Sequence, residues 1–324
     1  MNKKVSLITT GGTIASREIE KGLLRSGAIS GKELAALCQL PEEIEVNVID
    51  VFQLPSMHIG FDEMLKLREA IETELADPSV DGVVVTHGTD TLEETAYFLD
   101  LTIENDRTIV VTGSQRSPDD VGTDVYSNLR NSIYVSVDRT LAGVGTVVVF
   151  NERIYSARYV KKVHSSNLQG FDSFGHGYLG IIDNDVVSVY QKPITHEVLE
   201  VAEELPRVDI VKCHSGQDGY IIDMLAAGRT KGIVLEAAGR GQVSPHMVEA
   251  IERAVQKGIA VVLATSAEEG RVYPSYGYPG SAHDLMQKGV LLGSDYDSKK
   301  ARLKLAVLLS RRSEVGADAF VKQG

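Results

Sequence analysis

The chain has 324 residues, 43% of them hydrophobic and 24% charged, with no tryptophan and a formal charge of −12. That length exceeds one ordinary core and favours two domains, at about 100–200 residues each. No apolar run reaches the roughly 18 residues that a membrane-spanning helix needs, and no cluster of basic residues relieves the acidic total, which argues against nucleic acid or anionic lipid as partners.

The amino terminus, Met1-Asn2-Lys3-Lys4, has the basic start of a signal peptide, but only the apolar run 5–8 follows it. That is too short for a secretory h-region, so a cytoplasmic location is expected. Apolar runs at 5–8, 46–51, 80–85, 108–112 and 145–150 alternate with stretches of helical spacing at 63–76, 92–101 and 127–137. This is the rhythm of an α/β fold with a mostly parallel sheet. Segment 16–31, charged and interrupted by Gly22 and Gly27, is expected to be mobile and to lie as a lid beyond the first strand. An alternating run at 186–190 closes this half, and the polar, proline-bracketed stretch 191–206 reads as a linker. The rhythm then restarts, with strands at 208–213, 232–236 and 259–264 and helices at 219–227, 245–257 and 299–310. The expected division is an N-terminal α/β domain over 1–190, a linker over 191–206, and a second, smaller α/β domain over 207–324. Cys38 and Cys213 are the sole cysteines and have no metal-binding spacing, so both are read as core or subsurface thiols.

Two strand ends carry chemistry. Thr10-Gly11-Gly12-Thr13-Ile14 follows the run 5–8, and Thr86-His87-Gly88-Thr89-Asp90-Thr91 follows Val83-Val84-Val85. Glycines let the backbone take positive φ and approach a ligand, and the carboxyl edge of an open α/β sheet is where ligands bind. Thr13 is therefore a candidate nucleophile. Each motif also has a plain reading: a strand-to-loop turn for the first, and a helix cap by Thr89 or Asp90 for the second. Two Gly-Thr strand ends in one half-chain favour the functional reading of both. His87 reads as a hydrogen-bonded strand-end residue outside the reacting set. Neither G-x-x-x-x-G-K-[ST] nor G-x-S-x-G occurs, and Gly11-Gly12 cannot be extended to G-x-G-x-x-G, which argues against a P-loop, a dinucleotide fingerprint at this turn and a serine-hydrolase elbow. A threonine hydroxyl needs a base or proton shuttle. Asp90 can orient a lysine or bind a substrate ammonium, and a desolvated lysine can serve as a base.

At this point the sequence resembles a family. Thr9-Thr10-Gly11-Gly12-Thr13-Ile14-Ala15-Ser16 and Thr86-His87-Gly88-Thr89-Asp90-Thr91-Leu92-Glu93-Glu94-Thr95-Ala96 look like the two signature motifs of bacterial-type L-asparaginases, which hydrolyse asparagine and, to varying degrees, glutamine. Three further stretches agree: Val111-Thr112-Gly113-Ser114-Gln115-Arg116 with Asp124 and Asn128, Ala157-Arg158 with Lys162-Val163-His164-Ser165-Ser166, and Lys300-Ala301-Arg302-Leu303. The likeness covers nearly the whole chain. It implies that Thr13 is the acylated nucleophile and that Thr89, Asp90 and Lys162 form a proton-relaying triad. Lys161 is the rival for Lys162, and the interval from Lys162 to Phe171 matches the family pattern. Ser56 is implied to bind the substrate α-carboxylate, although Ile59 stands where methionine is frequent. Thr89 and Asp90 are implied to touch the substrate as well, and main-chain groups around Gly88 and Ser114 to border its amide. The resemblance implies no cofactor, no metal, and a homodimer or dimer of dimers with sites near the subunit interface.

Two departures stand out. The lid tyrosine frequent in the family is missing between Ser16 and Gly31, where Leu23 and Leu24 stand, leaving Tyr273, Tyr276 or Tyr278 as an alternative source of a hydroxyl for Thr13. Gln242, in Gly239-Arg240-Gly241-Gln242, occupies the place of an asparagine that in the family often crosses a dimer interface; an ordinary helix-entry turn is the competing reading. The expected function is asparagine hydrolysis with minor glutamine hydrolysis. The alternatives are a tRNA-dependent amidotransferase subunit, whose extra amino-terminal domain does not fit with Thr13 so near Met1, and an amino-acid-binding sensor, which needs no complete set of reacting groups.

Overall fold

The computed structural model describes residues 2–20, 23–25, 28–312 and 314–321. The chain divides into two compact units, Met1–Val198 and Leu199–Gly324.

In the first unit the strands are β1 (Lys3–Gly11), β2 (Arg17–Glu20), β3 (Leu23–Arg25), β4 (Ile44–Leu54), β5 (Gly82–Thr86), β6 (Ile109–Thr112), β7 (Thr146–Phe150), β8 (Arg153–Ser156), β9 (Lys161–Lys162), β10 (Phe171–Asp172), β11 (Gly180–Asp183) and β12 (Val186–Val189). The helices are α1 (Gly31–Leu37), α2 (Phe61–Ala76), α3 (Leu92–Thr102) and α4 (Val125–Ser136). Eight strands form one sheet in the order β12-β11-β8-β7-β6-β5-β1-β4. The pairs from β4 to β7 are parallel, whereas β8, β11 and β12 run antiparallel to their neighbours. The fold is thus α/β with a mostly parallel large sheet, as the alternating pattern implies. Central strands such as β5 and β7 are buried along their whole length and are rich in valine, the composition a strand covered on both faces requires. Leu34 of α1 and Val125, Leu129 and Ile133 of α4 join Val5, Leu7, Val84, Val110 and Val147 in one core cluster. Helices α2 and α3 pack on each other and on the sheet.

β1 lies inside the sheet, with β4 on one side and β5 on the other. The chain leaves β1, adds β4 on one flank, then crosses to β5 on the other. The gap beyond the carboxyl ends of β1 and β5 is therefore a topological switch point, the place where α/β sheets open a crevice.

The second unit carries β13 (Val208–Lys212), α5 (Tyr220–Ala226), β14 (Gly232–Ala237), α6 (Val248–Gln256), β15 (Ala260–Thr265), α7 (Ala282–Gln287), β16 (Leu291–Leu292) and α8 (Ser298–Arg311). Its four strands pair in sequence order, all parallel. Ile233, Leu235, Ile251, Val261, Leu263 and Leu285 lie in its core. Residues 191–207 carry no helix or strand.

Several elements were not foreseen. The segment expected as a mobile lid pairs β2 with β3 as an antiparallel hairpin and continues into α1, which Ser30 caps by accepting from Glu33 N. The side chains of Leu23 and Leu24, which stand where the family's lid tyrosine is missing, lie outside the described residues. Strands β8 to β11 are short, and a run of two to four residues carries little periodicity to read.

Candidate active site

Three turns leave the sheet together because the register holds their strands level: Thr9 is opposite Thr86, and Thr86 opposite Thr112. Gly11 and Gly12 both adopt positive φ, 103° and 82°. A Cβ on Gly12 would sit 2.4 Å from Gly88 N and 2.5 Å from Gly88 Cα, so the first turn rests directly on the second. Thr13 then opens a single 3-10 turn, Thr13–Ala15. On the other side of Gly88 stands Ser56, the first residue of the 3-10 turn Ser56–His58. A Cβ on Gly88 would meet Ser56 Cβ at 2.9 Å and its Oγ at 3.0 Å. The Thr91 hydroxyl donates to Ser56 O at 2.8 Å and ties that loop to the start of α3. The Thr13 turn, Gly88 and Ser56 are thereby held together through two close approaches that only glycines permit.

Asp90 is not a helix cap. The N-cap of α3 is Thr91, and its side chain makes no capping hydrogen bond. The Asp90 carboxylate instead accepts from Lys162 Nζ at 2.6 Å, and the same ammonium donates to Thr89 Oγ1 at 2.7 Å. The lysine side chain is 13% exposed and the aspartate 64%, so the pair is covered at its cationic end and open at its anionic end. An open carboxylate beside a cleft can receive a ligand ammonium. Because Lys162 donates to Thr89, the threonine's own proton is directed elsewhere, to Gln115 Oε1 at a long 3.5 Å.

The third turn offers main chain. Ser114 turns its hydroxyl back onto Arg116 O at 2.7 Å. Asp124 accepts from the amides of Gln115 and Arg116, both at 3.0 Å, while Asn128 Nδ2 donates to Gly113 O and to Asp124 Oδ2 at the same distance. His87 is fully buried, with Nδ1 at 2.8 Å from Gly88 O and Nε2 at 2.9 Å from Thr95 Oγ1. A carbonyl only accepts, so Nδ1 carries the proton. Burial pulls the His87 pKa down to about 4, which leaves the ring neutral at pH 7. Its two ring hydrogen bonds brace the second turn, joining Gly88 to Thr95 of α3.

Both cysteines are free, Cys38 buried and Cys213 half-buried, and burial pushes each thiol up to about 12. Among the described residues no group of three or more His, Cys, Asp or Glu side chains is placed to hold a metal. Among the same residues no helix is long and apolar enough to cross a membrane.

Tyr273, Tyr276 and Tyr278 lie in the second unit, each about half-exposed. Tyr276 and Tyr278 are stacked at 5.5 Å, and Tyr273 lies beneath the guanidinium groups of Arg240 and Arg271. Gln242 sits in a tight turn bridged to Ala238, and both its amide atoms are buried without a hydrogen-bond partner among the described residues. Glu93 was passed over in the sequence. It is 2% exposed, and its carboxylate accepts the main-chain N–H of Lys162. An acid in the first turn of a helix is so ordinary there that no signal set it apart.

Chemically, a hydroxyl at a switch point beside a hydroxyl–ammonium–carboxylate group suits acyl transfer, in which a nucleophile attacks and a relayed proton frees the leaving group. The chain matches the family described as Asparaginase, N-terminal, over residues 4–195, and the Glutaminase/Asparaginase C-terminal domain over residues 207–317. It is 60% identical over 320 residues to an L-asparaginase of Bacillus licheniformis, covering 99% of each chain, and 33% identical to L-asparaginase 2 of Bacillus subtilis (strain 168), covering 96% of this chain and 83% of that one. A probable cytoplasmic L-asparaginase from Campylobacter jejuni has the same fold, with a TM-score of 0.90 and 30% identity over 99% of this chain and all of that one. The chain belongs to the asparaginase family.

Proposed function

We propose that this protein is a cytoplasmic L-asparagine amidohydrolase that gives L-aspartate and ammonia without a cofactor. The observation that carries the reading is the Lys162 ammonium bridging Thr89 and Asp90 at the switch point that also presents Thr13. The 60% identical L-asparaginase, matched end to end, supports the substrate.

Thr13 Oγ1 attacks the side-chain amide carbon of asparagine. Its proton passes through the Thr89–Lys162 pair to the leaving nitrogen, which departs as ammonia and leaves a β-aspartyl ester on Thr13. Water then adds to the ester, and the proton it loses returns to the Thr13 oxygen, freeing aspartate. Asp90 holds the relay lysine and, through its open face, the substrate ammonium; Ser56 receives the α-carboxylate. Main-chain groups around Gly88 and Ser114 border the amide, where N–H donors close to the developing oxyanion would lower the barrier. Glutamine differs by one methylene, a difference worth about 1–3 kcal/mol of discrimination, and its hydrolysis is proposed as a minor activity.

The protein works as a homo-oligomer, a homodimer or dimer of dimers. In support, α5 leaves Tyr220, Ile221 and Met224 exposed together, a surface that a subunit contact would cover. Ammonia release from asparagine by the purified chain, lost in Thr13→Ala and Thr89→Val, tests the reading; binding of asparagine without turnover would contradict it.

A further inference from the structure

Lys162 stands on a ribbon too short to hold it. Strands β9 and β10 pair through two residues each, Lys161 with Asp172 and Lys162 with Phe171. The β10 side is well anchored: Phe171 is fully buried, its ring lies 4.7 Å from that of Phe150, and its carbonyl accepts from Tyr155 Oη and Gln169 Nε2. The β9 side is fastened differently. The Lys162 amide donates to Glu93 Oε2, and Glu93 is the second residue of α3, the helix whose entry turn carries Thr89 and Asp90. Lys162 is thus held at both ends by residues 89 to 93, its main chain by Glu93 and its Nζ by Thr89 and Asp90.

Two fastenings on one rigid turn fix the distance between the lysine backbone and its two targets. Without the first, Nζ would have to hold its place by side-chain contacts alone, against the rotamer entropy of a four-carbon stem. A buried carboxylate also makes a stronger hydrogen bond to an N–H than a neutral acceptor does.

We infer that Glu93 is a positioning residue that sets Lys162 against Thr89 and Asp90 for proton relay. This rests on the site reading above. Its effect falls chiefly on the chemical step, because the relay runs through Lys162, whereas Ser56 and the open face of Asp90, not the lysine, receive the substrate carboxylate and ammonium.

The test is a double-mutant cycle on asparagine hydrolysis with E93A, E93Q, K162M and E93A/K162M, each checked by thermal melting for a folded chain. Misplacing a reacting group by about 1 Å costs on the order of 100-fold, so E93A is expected to lower kcat about that much while KM stays within roughly threefold. E93Q keeps a neutral acceptor for the amide and is expected to recover to within about tenfold of wild type. Adding E93A to K162M is expected to change nothing further, since Glu93 acts through the lysine. Should E93A not fold, E93D takes its place in the cycle: its carboxylate stays charged but draws back from the amide, and about tenfold loss of kcat is expected. Additive losses in the double variant, a change in KM with kcat intact, or an E93Q no better than E93A would overturn the role of Glu93 alone. K162M at the wild-type rate would overturn the reading of Lys162, and this role with it.

Discussion

Glycine 12 is the residue on which the site's geometry turns. Its φ of 82° and the 2.4 Å that would separate its Cβ from Gly88 N leave room for hydrogen alone, and the obstacle is backbone, which cannot rotate away. Gly12→Ala is therefore expected to separate the Thr13 turn from the Gly88 turn and to lower asparagine turnover at least about 100-fold; near-normal kcat in a folded variant would contradict this. Much at this scale was legible. Gly11-Gly12-Thr13 and Gly88-Thr89 carry their own conformational signal, because glycines at strand ends are there for positive φ or close approach. Asp90 and Glu93 were not legible from spacing, since an acid before or within the first turn of a helix looks the same whether it caps the helix or holds a lysine. Their partner, Lys162, lies 72 and 69 residues further on, and no local pattern links the two segments. Gln242 was no more legible: its buried amide, without a hydrogen-bond partner among the described residues, is the kind of group that a neighbouring element or ligand normally satisfies.

Among the elements, the long parallel strands and amphipathic helices were readable from their periodicity, while β8 to β11, the β2–β3 hairpin and α1 were not. Short strands are set by their partners more than by their own residues. The segment that follows β12 shows a tertiary fastening of this kind. His196, in the stretch expected as linker, places Nε2 3.2 Å from Asp100 Oδ1 and 2.9 Å from Asp100 O, and Asp100 Oδ1 also accepts from Thr146 N at 2.8 Å. The hydrogen bond to Asp100 outweighs burial and raises the histidine pKa above its ordinary 6.5. The folded state thus holds the proton more tightly than the unfolded one. Stabilisation from this pair is complete below about pH 6.5, the unfolded value, and is lost as pH rises through the raised folded value. The stability difference between wild type and His196→Gln, followed by urea denaturation from pH 5 to 9, is expected to shrink with rising pH. A difference that grew or stayed flat would show the pair to be inert.

Across the whole molecule, the switch point between β1 and β5 connects sequence to chemistry. Strand order decides where the crevice opens, the register of Thr9 with Thr86 and Thr86 with Thr112 levels the three turns around it, and the core behind the sheet keeps them level. Leu129, fully buried on α4 in that core, supports the sheet from one face. Leu129→Ala is expected to destabilise the chain by about 2–5 kcal/mol in denaturant unfolding with a smaller effect on KM; a loss below about 1 kcal/mol would mean that the site is not braced from that face. In the proposed reading the net charge of −12 plays no part in choosing the substrate, because single groups such as Asp90 and Ser56 would act at contact distance within a screened solution. The central claim is that Thr13 carries the acyl group while the Thr89–Lys162 relay passes the proton to the leaving nitrogen. The most direct test is acid-quenched intact-protein and peptide mass analysis of the wild-type chain during turnover of asparagine, beside K162M, in which formation of the ester is slowed. The account predicts an aspartyl adduct on the peptide containing Thr13, absent from Thr13→Ala. An adduct on another residue, or turnover persisting in Thr13→Ala, would contradict it.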